Sequence, residues 1–235
     1  MSSKALQQIP LRQIIRSELQ RAADPVKARG MQAYMKSAMP YFGVPTIPLR
    51  RICKRVFDAH LLPDKDAWQS QCLAIWRGAR RREEWYAAIE LTGHRFYRAY
   101  QTRQTLPMYE EMIVTGAWWD VVDTIASHCL GDLLRADPAF LRKKMLQWSR
   151  SRNLWKRRSS ILCQLSFKAE TDLPLLYACI EPSLDSNEFF LRKAIGWALR
   201  QYVWTDSREV QRYVSEHADR LSPLSKREAL KNIGG

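Results

Sequence analysis

A helix-opening aromatic residue recurs at a nearly constant interval: Trp85, Trp119, Trp155 and Phe190, spaced by 34, 36 and 35 residues. One further step back lands in Pro48-Leu49-Arg50-Arg51-Ile52. Each interval holds two helices and two turns. A helix pair of that size cannot bury its apolar face alone, so neighbouring pairs must stack and share a core. The interval therefore predicts an all-α fold, a solenoid of antiparallel HEAT-like helix pairs. Every second helix of such an array lines one concave surface. The aromatic-led helices are in phase, so they are expected side by side on that surface, which their Lys and Arg residues make basic.

Local signals agree with this reading. Gly is scarce, Pro mostly stands where helices would begin or end, and helical periodicity recurs almost throughout. Val, Ile and Thr never gather in the alternating runs that strands require. About a dozen helices are expected. The first covers residues 4–22 through Leu6, Ile9, Ile14, Ile15 and Leu19, with Pro10 interrupting its early turns. Asp24-Pro25 opens the second, residues 41–45 turn, and Thr46 or Pro48 starts the third. Asp64 and Glu83 begin the next two, separated by a basic turn at 78–82. Thr105-Leu106-Pro107 starts a helix ending at Gly116, and a helix from Trp118 or Trp119 runs to Gly131 or Leu134. Asp137-Pro138 and Asn153 begin the following two, the latter running to Lys168. Asp172 starts a helix to Ile180, and Ser186 caps residues 187–202 with Glu188 in the first turn. Asp206 and Ser222 start the last two. No linker or compositional break divides the chain, so one domain over 1–235 is expected.

Charge narrows the partners. Lys and Arg number 38 against 24 Asp and Glu, a net charge of +14. That excess points to nucleic acid or an anionic surface. No run is long and apolar enough to span a bilayer, and Met1-Ser2-Ser3-Lys4-Ala5 lacks the apolar core of a secretory signal. A cytoplasmic protein is expected. The five cysteines form no Cys-x-x-Cys pair and read as reduced core thiols. His128-Cys129 is the only close metal-ligating pair of the His/Cys set, which makes no metal site. No cofactor or metal is expected, and the protein is expected to be a monomer.

Thr115-Gly116-Ala117-Trp118-Trp119-Asp120-Val121-Val122-Asp123-Thr124 is the stretch hardest to explain by packing. On a helix, Trp119 and Asp123 stand one turn apart on a shared face. The next in-phase helix offers Trp155, Lys156, Arg157 and Arg158, and the one after it Arg192, Lys193, Trp197 and Arg200. Guanidinium groups pair with phosphates, and aromatic faces stack on sugars or bases. Each residue also has a plainer reading. Trp85, Trp118 and Trp155 suit a core between repeats, and Trp197, seven residues after Phe190, suits packing too. Arg50-Arg51 and Arg80-Arg81-Arg82 suit solvated faces. Asp123 suits an ion pair with a neighbouring arginine.

The motifs resemble the AlkD family of DNA alkylation repair glycosylases, which are built on HEAT-like repeats. The matching stretches are Met31-Gln32-Ala33-Tyr34-Met35-Lys36, Val114 through Asp123, Asn153-Leu154-Trp155-Lys156-Arg157-Arg158, Glu188 through Arg200, and Pro223-Leu224-Ser225-Lys226-Arg227-Glu228-Ala229. They run in family order from residue 31 to 229. The resemblance implies Asp123 as the catalytic carboxylate, Trp119 and Trp197 as the two site tryptophans, and Arg158 as the arginine that engages the DNA backbone. It places Tyr34 near the lesion, and leaves Lys156, Arg157, Arg192, Lys193, Arg200, Lys226 and Arg227 as expected DNA-binding cations. The N-terminal helix and the short C-terminal end depart from the pattern, which bears on DNA contacts at the ends of the array.

The implied reaction is excision of purines alkylated at ring nitrogens, such as 3-methyladenine and 7-methylguanine, from double-stranded DNA without base flipping. Such bases are already cationic and leave without a general acid. No Lys stands near Asp123 in the helical register, so no strand cleavage is expected after base loss. A helical nucleic-acid-binding scaffold without catalysis is the alternative, and a protein–protein adaptor a third reading.

Overall fold

The computed structural model describes residues 10–233. Among them every regular element is helical. The chain forms two compact units, 1–100 and 101–235. Leu6 and Ile9, expected in the first helix, lie outside the described residues.

The first unit contains α1 (Leu11–Arg21), α2 (Pro25–Met35), α3 (Thr46–Ala59), α4 (Lys65–Arg77) and α5 (Arg82–Thr92). Pro10 does not interrupt α1 but stands just before it, where its fixed φ suits a helix entry and its missing N–H leaves no bond unmade. Leu49, Cys53, Val56 and Phe57 bury one side of α3. Ile15 and Leu19 of α1 and Trp68, Cys72 and Ile75 of α4 are likewise buried. Asp24 caps α2 by accepting from Val26 and Lys27 N–H at 3.0 Å each. The basic turn before α5 is less solvated than its composition suggests. Arg82 is buried, with its guanidinium 5.3 Å from the Trp85 ring. Glu83 is fully buried and accepts from the backbone N–H groups of Phe42, Gly43 and Val44. Those three bonds anchor the 41–45 turn, in which Gly43 takes a positive φ of 89°.

The second unit contains α6 (Leu106–Gly116), α7 (Trp119–Thr124), a π-helical turn (Ile125–Leu130), α8 (Gly131–Ala136), α9 (Pro138–Ser149), α10 (Leu154–Leu162), α11 (Leu173–Ile180), α12 (Phe189–Val203), α13 (Ser207–Glu216) and α14 (Pro223–Ala229). Within it, α10 packs on both α7 and α12, so three members of the aromatic series are neighbours. Their heads share one cluster: the Trp118, Trp155 and Phe190 rings lie 6.2, 5.4 and 5.0 Å apart pairwise. Each such pair contributes about 0.5–1.5 kcal/mol beyond area burial. Trp118 therefore fills the repeat position, which leaves Trp119 to face elsewhere.

Two helix limits differ from the sequence reading. The helix after Asn153 ends at Leu162 rather than Lys168, because residues 163–167 leave the helix and Gln164 bonds Asp172 N–H and C=O. Glu188, not Ser186, stands at the N-cap of α12, which begins at Phe189 rather than at residue 187, so Glu188 is not in its first turn.

Gly196 lets α12 and α14 approach closely. A Cβ there would sit 2.4 Å from Glu228 Cβ and 2.8 Å from the Ser225 carbonyl oxygen. Gly196→Ala is expected to destabilise the protein by about 1–3 kcal/mol, the usual range for overpacking. Urea unfolding measures it, and an unchanged midpoint would contradict the close packing of these helices.

Candidate active site

The site begins where α6 ends. Ala117 takes a left-handed conformation, φ 39° and ψ 42°, which turns the chain sharply. Trp118 follows in an extended conformation, and α7 starts at Trp119. One turn on, Asp123 is 8% exposed. The π-helical turn then adds a residue to the helical repeat, so that residues five apart align locally. Ser127 Oγ donates to the Asp123 carbonyl oxygen at 2.7 Å. As a result Asp123, Thr124, Ser127 and His128 form one wall of a cleft.

The Asp123 carboxylate meets the Arg158 guanidinium from α10 in a fork. Arg158 Nε donates to Oδ1 at 2.6 Å and Nη2 to Oδ2 at 2.7 Å. Arg158 is also buried, and its Nη1 donates to the Phe190 carbonyl oxygen at the head of α12. One arginine thus ties together α7, α10 and α12. Burial pushes the Asp123 carboxyl above its ordinary value. The Arg158 hydrogen bonds and charge oppose that rise, and Asp120 adds to it. Two short charge-assisted bonds suit the ionised carboxylate.

From α12, Lys193, Trp197 and Arg200 project along one face, at the spacing of successive turns. A cleft of about 300 Å³ is lined by Trp119, Asp123, Arg158, Lys193, Trp197 and Arg200, with Phe189, Phe190 and Glu228. Lys193 Nζ and Arg200 Nη1 both reach Glu228 of α14, at 2.8 and 2.7 Å. The Lys193 ammonium, with Arg200 beside it, holds the Glu228 carboxyl below its ordinary value against partial burial. Helical register places no lysine beside Asp123, and in the tertiary fold Lys193 lines the same cleft. Asp123 and Trp197 also border a second cleft of about 710 Å³.

The fold thus brings Asp123, Trp119, Trp197, Arg158, Lys193 and Arg200 together. The other expected residues line neither cleft. Lys156 pairs with Glu110 and lies 5.3 Å from the Trp148 ring. Arg157 donates to Ser183 Oγ and to the Pro182 carbonyl. Arg192 donates to the Ser186 carbonyl at 2.8 Å, ahead of α12. Lys226 donates to the Ala218 carbonyl, and Arg227 is exposed on α14. Tyr34 is 76% exposed on α2 of the first unit. Sequence reasoning did not single out Phe189, Glu228, His128, Gln201 or Trp204 as site residues. Trp204 carried a signal, since it follows Trp197 by seven residues, at the C-cap of the same helix.

The model of DNA alkylation repair enzymes matches residues 15–233. The chain belongs to the DNA alkylation repair enzyme family. A solved structure described as a predicted DNA alkylation repair enzyme from Enterococcus faecalis is similar to it, with a TM-score of 0.80 and 28% sequence identity. That likeness covers 90% of this chain and 97% of the other. No curated protein matches the chain. Membership in the DNA alkylation repair enzyme family supports a role in alkylation repair with DNA as the substrate. Among the described residues no helix is long and apolar enough to cross a membrane.

Proposed function

We propose that this protein is a monofunctional DNA glycosylase. It hydrolyses the N-glycosidic bond of cationic alkylated purines, such as 3-methyladenine and 7-methylguanine, in duplex DNA without flipping the base. The observation that carries this reading is the convergence of Asp123, Trp119 and Trp197 on one cleft with Arg158 beneath the carboxylate.

The chemistry asks little of a proton donor. The C1′–N bond breaks with its electron pair going to the base, which cancels the positive charge that alkylation placed there. Positive charge then develops on the deoxyribose, as in other glycosidic cleavages. The Asp123 carboxylate opposes that charge, and the negative faces of Trp119 and Trp197 flank it. Water adds at C1′, and Asp123 orients it and draws off its proton. Arg158 positions the carboxylate by holding both oxygens. In this reading Lys193 and Arg200, which share Glu228, turn their remaining positive charge to a DNA phosphate, and Arg158 adds its charge only from beneath the carboxylate. Lys193 pairs with Glu228, and this reading gives it no Schiff-base role, which borohydride trapping checks.

Release of free 7-methylguanine and 3-methyladenine from methylated duplex DNA, followed by chromatography, tests the proposal. Both bases are expected, with the strand left intact and no adduct trapped by borohydride. A trapped adduct would overturn the monofunctional assignment. The near-complete burial and pairing of Asp123 would also suit a purely structural ion pair in a DNA-binding scaffold. That second reading predicts salt-dependent DNA binding with no base released.

A further inference from the structure

Two carboxylates line the smaller cleft, Asp123 and Glu228, against three cations, Arg158, Lys193 and Arg200. The fold sorts them into fixed partnerships. Arg158 takes both oxygens of Asp123. Glu228 divides its own, Oε1 to Lys193 at 2.8 Å and Oε2 to Arg200 at 2.7 Å. Gly196, which lies between the two cations on α12, makes room for this. A Cβ there would strike the Glu228 Cβ, so the glycine seats the carboxylate over that turn.

A fixed anion in this wall opposes the approach of a DNA phosphate, so its place calls for a reason. Docking of α14 does not supply one. Ser225 Oγ donates to the Arg192 carbonyl at 3.0 Å, and Ser225 and Ala229 are buried. A partly exposed ion pair adds only about 0–1 kcal/mol to that. The nearer reason is Asp123. Lys193 follows Phe190 by three residues, and the Phe190 carbonyl oxygen accepts from Arg158. The flexible lysine stem therefore starts close to the Asp123–Arg158 fork and lines the same cleft. Asp123 and Glu228 are the carboxylates of that lining, so an ammonium released from Glu228 has Asp123 as its alternative partner. A second cation on Asp123 would cancel the charge that the deoxyribose needs in the transition state.

Resting on the glycosylase reading, we propose that Glu228 is a positioning residue: it holds Lys193 away from Asp123, which leaves the Asp123 charge for the sugar. The arrangement lowers DNA affinity, because the cleft carries one positive charge fewer. It raises the rate of bond breakage, because Asp123 keeps a single cationic partner. Binding and chemistry therefore respond to Glu228 in opposite directions.

The test measures kcat for 7-methylguanine release and the salt dependence of DNA binding on the same variants. Glu228→Gln keeps the length of the side chain but not its charge. It is expected to lower kcat roughly tenfold, part of the effect of one charge-stabilising group. DNA binding should tighten, and the slope of log K against log salt should steepen by up to about 0.9, the effect of one more free positive charge. Adding Lys193→Gln removes the displaced ammonium and restores the charge balance of the cleft, so kcat and the salt slope should both return toward the parent. Glu228→Asp keeps the charge and should hold kcat above that of Glu228→Gln. An unchanged kcat in Glu228→Gln overturns the proposal. A fall in kcat together with weaker binding also overturns it, by making Glu228 a strut for α14. So does a double variant no faster than Glu228→Gln. If the unsubstituted protein binds DNA but releases no base, the glycosylase reading falls first and this inference falls with it.

Discussion

Asp123→Asn is expected to lower release of 7-methylguanine by roughly a hundredfold or more, the usual loss when one charge-stabilising group is removed. DNA binding should stay close to the parent's, because the substitution removes a negative charge from a strongly basic protein. Asparagine keeps an oxygen that can accept from one arm of the Arg158 fork, but it offers no charge to the sugar. Thermal unfolding and salt-dependent binding on the same sample separate loss of chemistry from loss of fold. A substituted protein that releases base at the parent's rate would rule out Asp123 as the catalytic carboxylate. The unsubstituted enzyme should also lose activity as pH falls. Only the ionised carboxylate opposes positive charge on the sugar. Because burial raises the Asp123 value, the acid limb of the pH–rate profile should have its midpoint above the ordinary aspartate value of about 3.9.

Arg158→Met is expected to destabilise the protein by about 3–5 kcal/mol, since it leaves a buried carboxylate without its partner. It also removes the donor from the Phe190 carbonyl at the head of α12. The carboxyl value should rise further without the guanidinium, so base release should fall at neutral pH and its acid limb should shift upward. Arg158→Lys restores a charge but not the two-armed geometry, and should recover stability better than activity. Urea unfolding of Asp123→Asn, Arg158→Met and the double variant closes a thermodynamic cycle. The double variant should be more stable than the two single losses added together. Strict additivity would mean that the fork is not an energetic unit.

Much of the architecture was legible in residue order. Caps at Asp24, Asp64, Asp137, Asn153, Asp172, Asp206 and Ser222 all accept backbone N–H bonds at helix starts. Such caps act within three residues, so the local chain carries all the information they need. The helix from Leu106 to Gly116 and the restart at Trp119 have no side-chain cap, but Pro107 in the first turn and the left-handed Ala117 between them are equally local signals. The juxtaposition of Trp119 with Asp123 was also readable, because one helical turn fixes it.

Side-chain partnerships across helices were not. Residue types alone offered Arg158, Lys193 and Arg200 alike as cations for DNA. The fold buries the first against Asp123 and bridges the other two through Glu228. Of Trp118 and Trp119, adjacent and identical, only tertiary packing chose the first for the aromatic cluster and the second for the cleft. The order of residues determined the helices, their phase and the candidate carboxylate, because those depend on contacts within a few positions. Three-dimensional packing alone decided which charges are neutralised and which cleft each aromatic borders. Those outcomes depend on groups some 30 to 70 residues apart, such as Asp123 and Arg158 at a separation of 35, and no local period encodes them.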